Sequence, residues 1–171
     1  MQYYSDIATY YNNLATQFRD AQGTYGQFYE TLCRGLKTVV CVPLHTVIPT
    51  EIYKDVRRHI RPQRKMCYRN ASKLIERLHD AGITASYVEG AFVSPPISFP
   101  FEHAFVRIGD AYVDPTAEFA LKASVGECSY ASWCEVSYWE MIRVQLKTGV
   151  YGNVFRTRFI ENLEKVKKNL G

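Results

Sequence analysis

The chain has 171 residues, 47% of them hydrophobic and 22% charged, with a formal net charge of +4. That is long enough to bury a core in one domain, and the composition excludes a disordered chain. No apolar run approaches the ~20 residues of a membrane-spanning helix, and "MQYYSDIATYY" lacks the pattern of a secretion signal, so a cytoplasmic protein without membrane association is expected.

The first third reads as helical. Ile7, Tyr10, Tyr11, Leu14 and Phe18 recur at helical spacing behind a Ser5 cap. Gly23 and Gly26 punctuate, and a second short helix covers 27–36. The β-branched "TVVCVPL", Thr38 to Leu44, is a strand or a buried connection. Thr50 caps a third helix, which Pro62 ends. A helix from Cys67 to His79 then has Ala71, Leu74, Ile75 and Leu78 on its apolar face, with Gly82 as its C-terminal stop.

"ITASYVEGAFVS" follows as a strand, and Pro95, Pro96 and Pro100 mark a loop. "FEHAFVRI" and "AYVDP" are two strands around Gly109-Asp110. The stretch from Ala117 to Cys134 has no clear period, apart from a strand near "YASWCEV". Ser137 and Glu140 form a capping box for the next helix, and "TRFIENLEKVKKNL" is a closing amphipathic helix. The order is α+β, a helix packed on an antiparallel β-meander with helices on both flanks, not alternating βαβ. A single domain over 1–171 is expected, with a helical part at 1–62, a core at 63–152 and a C-terminal helix at 153–171.

Five cysteines, Cys33, Cys41, Cys67, Cys128 and Cys134, are irregularly spaced with no C-x-x-C pair. Zinc-ribbon, thioredoxin and disulfide-framework readings therefore fall away. Cys67 differs from the other four in position. Pro62 stops the preceding helix, so Cys67 falls in the first turn of the next, where free N–H groups and the helix dipole favour an anion. Arg61, Arg64 and Lys65 add positive charge, surroundings that lower a cysteine pKa from about 8.5. An N–H at the same helix end can steady an oxyanion.

A thiolate nucleophile needs a base, and the base needs an orienting group. If Gly109-Asp110 is a two-residue turn, Ile108 faces Ala111 and Phe105 faces Asp114. His103 lies two residues before Phe105 and shares its face, which makes His103 and Asp114 diagonal cross-strand neighbours. A one-residue slip would separate them onto opposite faces. Cys67, His103 and Asp114 are also a conceivable zinc triplet, but the nucleobase-deaminase pattern of H-x-E with P-C-x-x-C is missing. No metal and no cofactor are expected. Arg57, Arg58, Arg61 and Arg64 suit an acidic or phosphate-bearing partner, while the mild net charge argues against nucleic acid.

A cysteine at a helix start, then "EHAFV" in a strand and "YVDPT" one hairpin later, resembles the papain-like and transglutaminase-like cysteine hydrolase superfamily. The blocks "CYRNA" (67–71), "YVEG" (87–90), "EHA" (102–104) and "VDPT" (113–116) are similar to those of small uncharacterised bacterial and phage proteins. The likeness runs from Cys67 to Tyr151; the first 60 residues match no pattern. It implies a papain-like core, with Cys67 as nucleophile, His103 as general base and Asp114 as orienting carboxylate. Gln63 stands where such enzymes carry an upstream glutamine for the oxyanion, and Asn70, Tyr87 and Glu89 are further cleft candidates. The implied reaction is acyl transfer on an acyl, peptide, amide or thioester substrate, by hydrolysis or transfer. The competing expectation is an inactive papain-like protein of phage origin that holds a host protein or a small ligand.

Overall fold

A computed structural model describes residues 6–19, 23–95 and 99–170. In chain order these form α1 (Ile7–Arg19), α2 (Thr24–Gly35), β1 (Lys37–Val39), α3 (Thr50–His59), α4 (Cys67–Asp80), β2 (Ala85–Val93), β3 (Phe101–Ile108), β4 (Ala111–Val113), β5 (Ser129–Ser137), α5 (Tyr138–Thr148) and α6 (Val154–Leu170). The fold is α+β with one curled antiparallel sheet.

The sheet departs from the expected meander. Its order is β1-β5-β2-β3-β4, so β5 leaves β4 and returns to pair with β2. Burial explains the choice. Residues 87–92 of β2 are buried without interruption, the pattern of a central strand covered on both faces. β4 is three residues long and offers little ladder to extend. Gly90 makes the close approach possible, since a Cβ there would lie 1.9 Å from the carbonyl oxygen of Ala131. The β2–β5 register slips at this point, from Glu89 opposite Cys134 to Gly90 opposite Ser132, leaving Trp133 as the extra residue of a bulge.

The sheet curls until its two ends meet. Just beyond β1, Cys41 bridges to Tyr112 of β4, and the Val42 N–H donates to the Tyr112 carbonyl at 2.8 Å. Inside the curl, Cys41, Val88, Phe92, Phe105, Ala117, Val125 and Tyr130 form a small apolar cluster. The larger cluster lies on the helical side. It draws Ile7 and Leu32 from the first helices, Leu74 and Leu78 from α4, Met141 from α5 and Val154 from α6. Thus the 1–62 segment shares its core with the rest of the chain.

Local signals explain most boundaries. The Asp6 carboxylate starts α1 by accepting from the Ala8 N–H at 2.9 Å and the Thr9 hydroxyl at 2.6 Å; the expected Ser5 cap lies outside the described residues, as does Pro96. Gly26 does not interrupt but sits inside α2, where a Cβ would come 2.8 Å from the Phe18 carbonyl oxygen of α1. Thr50 is the first residue of α3 rather than its cap, and Pro49 precedes it without a side-chain hydrogen bond. α4 ends at Gly82 (φ 73°), with Gly82 N–H to His79 O at 2.9 Å and Ile83 N–H to Leu78 O at 2.8 Å. Ser137 caps α5 by accepting from the Glu140 N–H at 3.3 Å.

Candidate active site

Cys67 is the first residue of α4 and is partly exposed. The chain reaches it through a cramped loop in which Arg61 (φ 43°) and Lys65 (φ 62°) adopt left-handed backbone. Asn70 holds that loop. Its Oδ1 accepts from the Gln63 N–H at 3.2 Å, while its Nδ2 donates to the Gln63 carbonyl at 2.8 Å and to Thr116 Oγ1 at 3.0 Å. No side chain caps α4, which leaves first-turn N–H groups beside the sulfur to receive charge.

The β3–β4 hairpin has the register expected from its turn, with Ile108 opposite Ala111 and Val106 opposite Val113. His103 and Asp114 meet accordingly, Nε2 to Oδ2 at 2.8 Å, both fully buried. The imidazole stacks on Phe92 with ring centres 4.9 Å apart. Asp114 does more than hold the ring. Its Oδ1 accepts from the N–H groups of Thr116 and Ala117 at 2.8 and 3.0 Å, and Oδ2 also accepts from the Tyr130 hydroxyl at 3.1 Å. One oxygen of Asp114 thus starts a turn and the other holds the ring.

With four donors on Asp114, Nε2 of His103 must carry its proton toward the carboxylate. Nδ1 is buried and has no hydrogen-bond partner among the described residues. Burial is the largest influence on this ring and opposes its charge. The charge and hydrogen bond of Asp114, with the adjacent Cys67 thiol, outweigh it and raise the His103 pKa above its ordinary value. Cys67 therefore lies against the imidazole without a completed bond to Nδ1.

The other four cysteines occupy different surroundings. Burial raises the pKa of each: Cys134 goes up to about 11, and Cys33, Cys41 and Cys128 also rise. All five thiols are free.

The remaining candidates have other tasks. Gln63 has an exposed side chain, and its backbone is taken by Asn70; nothing directs its amide toward the sulfur. Asn70 is fully committed to the loop and to Thr116, so it positions the helix end rather than lining a cleft. Tyr87 is a core residue whose hydroxyl donates to Glu89 Oε1 at 3.2 Å. Glu89 caps α6, accepting from the N–H groups of Val154 at 2.9 Å and Phe155 at 2.8 Å.

The arginines divide. Arg57 lies 5.9 Å above the rings of Tyr53 and Phe119, and Arg64 donates to the Ala120 carbonyl at 3.3 Å. Arg57 and Arg61 share a groove with Lys122 and Glu118, which Arg58 does not line. Among the described residues, no group of three or more His, Cys, Asp or Glu is placed to hold a metal ion. No described helix is long and apolar enough to cross a membrane.

Sequence reasoning missed Tyr130, Thr116 and Phe92. Thr116 was legible in "DPT", because an aspartate commonly receives the N–H two residues on. Tyr130 was hidden by the non-local pairing of β5. Comparison with protein-family models, curated proteins and solved structures gives no match to this chain. The site is therefore read from its own geometry.

Proposed function

We propose that the protein is a cysteine-dependent acyl-transfer enzyme with a papain-like core, acting on an amide, peptide or thioester bond. One observation carries this reading: a buried histidine, anchored through Nε2 on a saturated aspartate, keeps Nδ1 unpaired beside a partly exposed thiol. A histidine with only a structural task would have both nitrogens satisfied.

In the proposed cycle Cys67 and His103 form a thiolate–imidazolium pair with the shared proton on Nδ1, and the sulfur attacks the substrate carbonyl. The resulting oxyanion is met by free N–H groups of the first turn of α4. His103 returns the proton to the leaving amine or thiol as the C–N or C–S bond breaks, leaving a thioester on Cys67. Water or an amine then attacks that thioester, gives its proton to His103, and releases the acyl group as the thiolate–imidazolium pair is re-formed. Asp114 fixes the ring and favours its charged form throughout. Five free thiols suit a reducing, cytoplasmic setting, and the groove of Arg57 and Arg61 is a candidate contact for an acidic partner.

Iodoacetamide labelling near neutral pH, read cysteine by cysteine by mass spectrometry, tests the proposal. Cys67 is expected to react first, at least about tenfold ahead of the four raised thiols, and to slow to their rate in His103→Gln. An acyl probe should label wild type and not Cys67→Ala. Uniform slow alkylation, or a rate indifferent to His103, would instead favour an inactive binding protein.

A further inference from the structure

On the helical side of the sheet lies a cavity of about 410 Å³. Phe28 and Tyr29 of α2, Tyr68 of α4, Trp133 of β5 and Phe155 of α6 wall it with rings. Two carboxylates of the sheet, Glu89 on β2 and Glu102 on β3, open into it. Tyr68 follows Cys67 at the start of α4, and Glu102 stands on the helical face of β3, opposite to the face that carries His103. The Tyr68 hydroxyl donates to Glu102 Oε2 at 3.4 Å. Gly152 backs the same ring, since a Cβ there would come 2.5 Å from Tyr68 Cδ1.

Glu89 is buried, while Glu102 stands at an exposed position of β3. Among the described residues neither Glu89 nor Glu102 forms an ion pair with lysine or arginine; their partners are N–H and O–H donors. The charge of Glu102 reaches Tyr11, Tyr29, Tyr68 and Glu89. The cations that line the cavity, Arg156 and Lys167, stand with Glu164 on exposed positions of α6. A cation entering the ring-walled space gains from both carboxylates, in surroundings less polar than water, and from the faces of the aromatic rings. An anion there meets two like charges, and a neutral group gains no attraction from either.

We infer that this cavity binds an organic cation, an ammonium or guanidinium group on a short aliphatic stem, carried by a substrate of Cys67. The binding stands on the cavity alone; only its purpose rests on the acyl-transfer reading.

Calorimetric titration of the Cys67→Ala protein with agmatine tests it, with 1-butanol and butyrate as neutral and anionic counterparts. Saturable agmatine binding is expected, about tenfold or more tighter than 1-butanol, with no heat from butyrate. Glu102→Gln should weaken agmatine about tenfold, and Tyr29→Leu should weaken it independently if Glu102→Gln disturbs folding. Equal binding of agmatine and 1-butanol, absence of saturation, or agmatine affinity untouched by both substitutions would overturn the inference. Because the thiol is absent from the tested protein, any of these results leaves the alkylation test of Cys67 standing, and the reverse also holds.

Discussion

Two buried carboxylates, one on each side of the sheet, invite comparison. Asp114 accepts from two N–H groups, a tyrosine hydroxyl and the His103 ring. Glu89 accepts from two N–H groups and a tyrosine hydroxyl. Burial and hydrogen-bond satisfaction are nearly the same, so neither property marks a catalytic group. The fourth partner makes the difference. Asp114 holds a titratable ring whose far nitrogen is unpaired, whereas everything Glu89 holds ends in backbone. What marks the proposed reactive site is the atom left without a partner among the described residues beyond the carboxylate.

Exchanging each carboxylate for its amide is the strongest way to break this comparison. Asp114→Asn is expected to lower acyl-probe turnover on the order of 10³-fold, because the amide favours the wrong ring tautomer. Glu89→Gln should leave Cys67 labelling unchanged and cost about 1–3 kcal/mol of stability in urea unfolding, through a weakened cap on α6. Loss of labelling in folded Glu89→Gln would mean that the two carboxylates do not divide their tasks as described. Asn70→Ala comes next. Freeing the Gln63 loop and Thr116 should cost about 1–3 kcal/mol and slow Cys67 alkylation, while the His103–Asp114 bond, and with it the histidine NMR shifts, persists.

The pH dependence is the smallest expected effect. The folded-state pKa of His103 lies above its ordinary 6.5, so the stabilisation from its charged ring is fully present below that value. It is lost as pH rises through the raised folded pKa. Urea midpoints across the alkaline side should therefore fall more steeply for wild type than for His103→Gln. Parallel curves would remove the Asp114–His103 pair from the charge balance.

The part of the site written in adjacent residues was legible in the sequence. Gly109-Asp110 sets a two-residue turn, the turn sets the register, and the register brings His103 to Asp114. Pro62 and the spacing of Ala71, Leu74, Ile75 and Leu78 likewise place Cys67 at a helix start. The rest depends on distant pairings that no local pattern encodes. Tyr130 reaches Asp114 only because β5 returns to β2, and Glu89 meets the start of α6 across 65 residues. Gln63 and Asn70 lie close to Cys67 in sequence, yet the Asn70 amide holds the Gln63 backbone and Thr116 rather than the sulfur, and the Gln63 side chain is exposed. Gly90 did carry a readable signal, since a lone glycine in a buried strand marks a bulge or close backbone approach.

The bridge between Cys41 and Tyr112 also bears on solubility. A sheet that ends in bare N–H and C=O groups templates the addition of another chain. Here the Val42 N–H occupies the Tyr112 carbonyl at the rim of β4, and the opposite rim is a three-residue strand that begins with Lys37. Neither rim offers a long, flat ladder to a second molecule, so crowding at high concentration finds no ready seed for fibrous assembly.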